Sequence, residues 1–331
     1  MVDPEVLNRK LRIYGVEEDY LDLIASYLTD RFQAVWIDHI LSEFIQCPIG
    51  VPQGSILGPL FFSIYFNDLP DSLLCDVDNY ADDTTLTATG KTLEEISEKL
   101  SRSCDALSNW MRSNQLKLNP EKTHILTMGT QERLNNQTAK LQIVMDGIML
   151  EEDSSHCELL LGCQVQANLK HEKQITLLLR KLRTKLVGLL NLRLIIPFKT
   201  RKLITEGIFN STLVYCLPYF GGCNKAQVQS LQVLQNKAAQ IVCQAPPRAN
   251  RGKLFDKLNW LTVNQLITYH TVITVFKIRS SSEPEYLANY LKADNRNGRI
   301  IVPNTDLTLA MKSFTCRGAC QWNNLLRTLR N

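Results

Sequence analysis

A chain of 331 residues, 44% hydrophobic and 21% charged, can bury a sizeable core and is long enough for two domains. No apolar run approaches the roughly 18 residues of a membrane span, and Met1-Val2-Asp3-Pro4-Glu5 lacks the basic and apolar regions of a secretory signal. The formal charge of +4 conceals a division: residues 1–160 hold 12 Lys+Arg against 26 Asp+Glu (net −14), and residues 161–331 hold 25 against 7 (net +18).

That split suggests separate tasks, with carboxylates for metal in one half and a basic surface for a polyanion in the other. An acidic domain packed against a basic one is the plainer alternative. Ten cysteines form no disulfide-like framework, and Cys316 and Cys320 have no second Cys or His pair to complete a zinc site. Reduced thiols and the absence of a signal predict an intracellular protein of the nucleus or cytoplasm, neither secreted nor membrane-bound.

In chain order, 4–14 and 17–29 read as amphipathic helices broken at Gly15. Val35 to Ile37 and Phe44 to Cys47 read as short strands. Gly50-Val51-Pro52-Gln53-Gly54 is a loop, Ser55 an N-cap, and Ile56 to Phe66 has the apolar content of a buried helix. Cys75 to Tyr80 and Thr84 to Thr87 are rich in strand formers, which puts Ala81-Asp82-Asp83 at the tip of a hairpin. Leu93 to Leu116 is helical, with Ile96, Leu100, Leu107, Trp110 and Met111 on its apolar face. Ile125 to Met128 reads as a strand. Asp146-Gly147 joins Ile143–Met145 to Ile148–Leu150 through a tight primed turn. Leu159 to Val165 reads as one further strand.

Beyond that point the pattern turns helical. Ile175, Leu178, Leu179, Leu182, Leu186, Leu189 and Leu190 recur at helical spacing. Further helices are expected over 199–214, 225–243, 262–278 and 317–329, with Pro246-Pro247 and 293–305 as loops. The expected fold class is α+β: an antiparallel sheet with helices in the first half, then a nearly all-α second half.

An Asp-Asp pair in a turn is ordinarily a solvated loop. Here the order around it carries the meaning. Gly50-Val51-Pro52-Gln53-Gly54-Ser55-Ile56-Leu57-Gly58-Pro59-Leu60 opens a helix. Tyr80-Ala81-Asp82-Asp83 follows, then Leu118-Asn119-Pro120-Glu121-Lys122-Thr123, then Leu161-Gly162. This order and spacing resemble the palm of reverse transcriptases, above all those of non-LTR (LINE-type) retrotransposons. Leu234-Gln235-Asn236-Lys237-Ala238-Ala239, Leu258-Asn259-Trp260-Leu261, Pro284-Glu285-Tyr286-Leu287 and Trp322-Asn323-Asn324-Leu325 resemble the region after the polymerase core in the same elements.

The resemblance implies a partial right-hand palm at 1–166, a helical thumb-like region at 167–245 and a C-terminal helical region at 246–331. It implies an RNA-directed DNA polymerase working on an RNA template, a DNA primer and dNTPs. Asp82 and Asp83 resemble the family's second catalytic carboxylate motif and would hold Mg²⁺ or Mn²⁺, a pair of ions being roughly 3.5–4 Å apart in such sites. Lys122 resembles the lysine that protonates pyrophosphate. Gln53, Gly54 and Ser55 would meet nucleotide or template, on bare backbone at a helix N-terminus. Leu161 and Gly162 resemble the start of the primer-grip hairpin.

Residues 170–202 hold ten Lys+Arg against one acid, Glu172. Lys173, Arg180, Lys181, Arg183 and Lys185 would neutralise phosphates along a template–primer duplex; a solvated helix face is the structural alternative. Val2-Asp3-Pro4-Glu5-Val6-Leu7 resembles the continuation of the family's first carboxylate motif. The expectation is therefore an N-terminally truncated chain without fingers and the first catalytic Asp, inactive alone, and Asp3 is not a metal ligand. A non-enzymatic nucleic-acid-binding remnant that uses the basic half is the competing expectation. Leu160 stands where many relatives have an aromatic residue, and Gln240 and Leu326 replace the usual Arg and Pro.

Overall fold

The computed structural model describes residues 2–137, 140–152, 155–293 and 298–325. They form two compact units: Met1–Thr127 with Gln137–Ser154, and Met128–Asn136 with Ser155–Asn331. Mixed helices and small antiparallel sheets agree with an α+β fold. The strands do not merge into one sheet: among the described residues there are five two-stranded ladders. Each pairs segments close in sequence, as local hairpins do. Among the described residues no helix is long and apolar enough to cross a membrane.

In the first unit, helix Pro4–Ile13 begins with Pro4 and is capped by Asp3, whose carboxylate accepts from the Glu5 and Val6 amides, both at 3.0 Å. It buries Val6, Leu7 and Leu11. Gly15 breaks the helical run at φ 84°, and helix Glu18–Leu28 follows with Leu21 and Leu28 in the core.

The two short strands expected at 35–47 belong to one interrupted hairpin. Phe32 pairs with Gln46 and Gln33 with Ile45, while Trp36 pairs with Leu41 and Ile37 with Ile40. Its tip, Asp38-His39, has φ of 47° and 70°.

The apolar content of helix Leu57–Phe66 predicts burial throughout, and the structure corrects this. The helix buries Gly58, Phe61, Tyr65 and Phe66, but Leu57 and Leu60 are exposed and Ile56, just before it, is 93% exposed. The core needs one face of a helix this short, and composition alone does not say how wide that face is.

Tyr65 ties this helix to two others. Its hydroxyl donates to the Asn114 carbonyl at 2.5 Å, at the end of helix Leu93–Ser113, and accepts the Asp3 amide at 3.4 Å. Leu107, Trp110 and Met111 of the long helix are buried, and Ile96 and Leu100 pack partly against the same core. Lys99 fastens its start, donating to the Thr89 carbonyl at 2.9 Å and to Glu95 at 2.8 Å.

Strands Gln142–Met145 and Ile148–Glu151 form the expected hairpin, with Asp146 and Gly147 at φ 50° and 78°. Ile125 to Met128 is not a regular strand. Ile125 makes only an isolated parallel bridge with Glu152.

The second unit begins with a correction. Leu159 to Val165 is not one strand but part of a hairpin, Cys157–Leu160 paired with Cys163–Gln166 across Leu161-Gly162. The hairpin joins helix Glu172–Leu192 by local bonds. The Gln164 amide donates to Gln174 at 2.9 Å, and the Lys173 amide donates to Gln166 at 2.7 Å. This is why the units divide near residue 154, whereas the resemblance implies a boundary at 166.

The 172–192 helix buries Ile175, Leu178, Leu182, Leu186 and Leu189; Leu179 is half-buried and Leu190 exposed. The helix expected over 199–214 is interrupted: Phe198–Thr205 and Ser211–Val214 flank a π-turn at Glu206–Asn210. Helices Lys225–Cys243 and Val263–Ser281 match the two expected next, and Arg251–Leu258 lies between them. One core runs from Ile175 to Ile267 and so crosses residue 245 without a break.

The downstream motifs wire this unit together. The Gln235 side chain, 1% exposed, donates to the Leu261 carbonyl at 2.9 Å. Gln232 donates to Gln235 at 3.0 Å and accepts the Val263 amide at 2.8 Å. Trp260 donates to Glu206 at 2.8 Å. Asn323 exchanges two hydrogen bonds with the Ile300 backbone, at 2.9 and 2.8 Å, and Trp322 donates to the Gly298 carbonyl at 2.9 Å. Gln240 donates to the Pro246 and Pro247 carbonyls at 3.3 and 2.9 Å. The last described helix is Phe314–Asn323. Residues 294–297 of the expected loop, and the end of the expected 317–329 helix with Leu326, lie outside the described residues.

Candidate functional site

Strands Asp76–Tyr80 and Asp83–Thr87 pair in strict register, closing with Tyr80 opposite Asp83. The connection is the two residues Ala81 and Asp82, with Ala81 at φ 54°. Hairpin turns of this length favour glycine where φ is positive, so an alanine there holds some strain at the tip. Leu86 anchors the hairpin in the core. Asp82 and Asp83 are both exposed. Adjacent carboxylates facing water are hard oxygen donors suited to a divalent cation. Among the described residues no group of three or more His, Cys, Asp or Glu side chains is gathered as a metal site.

The Gly50–Ser55 loop is held at its start. The Gly50 amide donates to the Val2 carbonyl, and the Arg31 guanidinium donates to the Gly50 carbonyl, each at 2.6 Å. Gln53 and Gly54 are exposed, Gly54 takes φ 80°, and the space beside its Cα is open. Ser55 caps the following helix, accepting the Gly58 amide at 2.9 Å. Lys122 ends a short 3-10 turn, Pro120–Lys122, and is exposed. Gln53, Gly54, Ser55, Lys122 and the Asp pair belong to the first unit.

Leu161 and Gly162 belong to the second unit, at a hairpin tip where both are left-handed, φ 47° and 79°. A Cβ built on Gly162 would meet the Tyr215 ring at 3.6 Å. The Tyr215 hydroxyl donates to the Leu161 carbonyl at 2.6 Å, and the Tyr219 hydroxyl donates to the Gln164 carbonyl at 3.2 Å. A cavity of about 570 Å³ opens beside the tip, bordered by Gly162, Leu178, Lys181, Lys185, Thr212 and Tyr215. Sequence reasoning does not single out Tyr215 or Tyr219. Their only local signal is a break in helical pattern at Tyr215-Cys216-Leu217-Pro218-Tyr219, where Cys216 is left-handed at φ 54°.

The basic residues of 170–202 divide by environment. Arg180, Lys181 and Arg183 are exposed and form no ion pair among the described residues. Lys173 is exposed and its ammonium donates to the Ser155 carbonyl at 2.6 Å. Lys185 is half-buried, donating to the Ile208 carbonyl at 2.8 Å and to the Thr212 hydroxyl. Arg201 is 4% exposed and donates to the carbonyls of Val242, Arg193 and Ile196 at 2.8, 2.5 and 2.7 Å. It caps the end of the long helix instead of facing solvent.

Around the 157–166 hairpin, burial is the main cause of the pKa shifts. It pushes the Tyr219 hydroxyl up to about 12, helped by the neighbouring Cys163, Cys157 and Cys216. It also pushes the Cys163 thiol up to about 12, reinforced by Cys216. These groups stay protonated at neutral pH, which keeps Tyr219 a hydrogen-bond donor.

Residues 2–178 match the family described as reverse transcriptase (RNA-dependent DNA polymerase). Among curated relatives from Drosophila melanogaster, the chain is 28% identical over 263 residues to a probable RNA-directed DNA polymerase from transposon BS, covering 76% of this chain and 28% of the relative. It is 26% identical over 238 residues to the RNA-directed DNA polymerase from mobile element jockey, covering 68% of this chain and 25% of the relative. For the probable polymerase from transposon X-element the identity is 23% over 263 residues, covering 76% of this chain and 28% of the relative. The chain thus spans about a quarter of the length of these relatives. The family match extends over more than half of its residues and takes in the Asp82-Asp83 hairpin, the Gly50–Ser55 loop and the Leu161-Gly162 turn: the chain belongs to the reverse transcriptase family, of the non-LTR retrotransposon kind.

Proposed function

We propose that this chain carries part of the nucleotidyl-transfer centre and the nucleic-acid support of an RNA-directed DNA polymerase. The resemblance assigns 1–166 to the partial palm, 167–245 to the thumb-like region and 246–331 to the C-terminal helical region, although the 157–166 hairpin belongs to the second compact unit and that unit's core continues past residue 245. The observation that carries the reading is the hairpin, paired in strict register, that presents Asp82 and Asp83 to solvent. They would hold Mg²⁺ or Mn²⁺, which when bound lowers the barrier by polarising the attacking hydroxyl and offsetting charge on the leaving pyrophosphate.

The remaining work falls to side chains and backbone. Gln53, Gly54 and Ser55 offer an uncrowded backbone at a helix start, suited to close approach of a nucleotide or template strand. Lys122 is exposed, accessible as a proton donor to pyrophosphate. Leu161 and Gly162 support the primer strand. Arg180, Lys181 and Arg183, with Lys173, offer charge to the template–primer backbone.

Two carboxylates leave a pair of divalent ions under-neutralised, so the isolated chain is proposed to be nearly inactive, the nucleotidyl-transfer activity belonging to the longer polymerase. Primer extension with Mg²⁺ on an RNA template tests this: the expected result is little or no synthesis. Robust synthesis abolished by Asp82→Ala would overturn the inactivity and leave the site assignment standing.

The exposed cations also support a second reading, non-enzymatic binding of nucleic acid. It requires duplex binding that survives Asp82→Ala and falls when Lys181 and Arg183 are both changed to Gln. Absence of binding by the full chain at low salt would sink it.

A further inference from the structure

The Leu161-Gly162 turn is a poor turn on local grounds. Leucine at φ 47° is strained, and neither residue supplies a side-chain hydrogen bond of the Asn or Asp kind. What holds it comes from 54 residues further along the chain, where the Tyr215 hydroxyl meets the Leu161 carbonyl at 2.6 Å and the ring covers Gly162.

The placement of Tyr215 is itself unusual. It directly follows helix Ser211–Val214, which follows the π-turn Glu206–Asn210. A π-turn inserts one residue and so rotates everything after it by about 100° relative to an unbroken α-helix. Without it, Tyr215 would leave the helix in a different direction. Within the turn, the Ile208 carbonyl accepts from the Lys185 ammonium and from the Thr212 hydroxyl, each at 2.8 Å, and the same ammonium donates to Thr212, so Lys185 closes a small network on the π-turn.

We propose that Lys185 and Tyr215 form a strut that sets the hairpin tip: Lys185 holds the π-turn, the π-turn aims Tyr215, and Tyr215 holds Leu161-Gly162. Lys185 is thus a positioning residue and not a phosphate contact, although it lies on the same helix as Arg180, Lys181 and Arg183. The consequence for nucleic acid rests on the polymerase reading above: a tip held beside the cavity lined by Lys181 discriminates a recessed 3′ end from continuous duplex.

Hydrogen exchange on the full chain tests the strut directly. Tyr215→Phe keeps the ring on Gly162 and removes the hydroxyl; Lys185→Met keeps the aliphatic stem and removes the ammonium. Each is expected to speed exchange of the Leu160 and Cys163 amides by about tenfold, the effect of removing one ordinary hydrogen bond, with the 172–192 helix still protected. Unchanged exchange at the tip in both variants overturns the proposal.

Fluorescence anisotropy then compares a template–primer carrying a recessed 3′ end with a blunt duplex of equal length. The wild-type chain is expected to prefer the recessed end, and both variants are expected to lose that preference while keeping blunt-duplex affinity and its salt slope. A preference retained in Tyr215→Phe overturns the functional half. A wild-type chain that binds neither duplex defeats the polymerase reading instead, and the exchange result still decides the strut.

Discussion

The Lys10 ammonium and the Asp68 carboxylate lie 2.6 Å apart, with the lysine almost enclosed and the aspartate half in water. The same ammonium donates to the Tyr65 carbonyl at 2.6 Å and sits 4.7 Å from the Trp110 ring centroid. Burial lowers the Lys10 pKa, while the hydrogen bond and charge of Asp68 raise it and Arg9 lowers it. The ion pair with Asp68, the Tyr65 carbonyl and the aromatic rings join three helices of the unit that bears the Asp82-Asp83 hairpin.

Lys10→Met retains the stem but strands the Tyr65 carbonyl. A loss of about 1–3 kcal/mol is expected, the usual consequence of orphaning a buried acceptor. Urea denaturation followed by Trp fluorescence measures it. A change within about 0.5 kcal/mol would show that water replaces the ammonium without cost.

Gln235 belongs to the Leu234–Ala239 segment, singled out in the sequence by resemblance, yet its bonds are internal, to Leu261 and Gln232. Gln235→Leu is expected to destabilise the second unit by about 1–3 kcal/mol, since the Leu261 carbonyl loses its donor. Duplex affinity of the folded fraction should remain at the wild-type value. An equilibrium unfolding curve and an anisotropy titration on one preparation separate the two effects.

Arg201 and Arg183 make opposite predictions from the same residue type. Arg201→Met removes a buried guanidinium shared by three carbonyls, so unfolding should become easier by about 2–4 kcal/mol. Arg180→Gln with Arg183→Gln should leave stability within about 0.5 kcal/mol. The same pair should lower the slope of log affinity against log salt by about 0.7–0.9 for each phosphate that is no longer neutralised. A salt slope unmoved by the double change would remove this helix face from the nucleic-acid interface.

His171 supplies a pH dependence. Burial lowers its pKa below the ordinary 6.5, and Arg317 and Lys312 lower it further. Its ring meets Tyr219 edge-on at 4.8 Å. The folded state therefore keeps His171 neutral while the unfolded chain takes up a proton. Stability falls as pH drops through 6.5 and levels off below the lowered folded value, by at most about 1.4 kcal/mol per pH unit for one group. His270 shifts the same way through burial, so the measurement is a difference: His171→Phe should lose less stability than wild type between pH 7 and pH 5. Equal losses would mean that His171 is protonated without penalty in the fold.

Much of the site was readable because its parts are local. Strand formers on both sides of Ala81-Asp82-Asp83 force a hairpin, and Ser55 before an apolar run forces a helix start. Asp146-Gly147 carries its own turn signal. Leu161-Gly162 carries almost none. Leu159, Leu160 and Leu161 look like continuing strand, and the turn is reinforced by a tyrosine remote in the chain. The π-turn is illegible for the same reason, since helical periodicity runs across it and its partners are Lys185 and Trp260.

Sequence alone determined most of the helices, the two hairpins that carry their own turn signals, where the carboxylates stand and to which family the order of motifs belongs, because those properties depend on neighbours a few residues apart. Tertiary structure alone decided what each cation meets. Along one basic stretch Arg183 faces solvent, Lys185 donates to a π-turn carbonyl and Arg201 donates to carbonyls at a buried helix end. Charge is a property of the residue, but whether it meets water, a carbonyl or a phosphate depends on segments that only folding brings alongside.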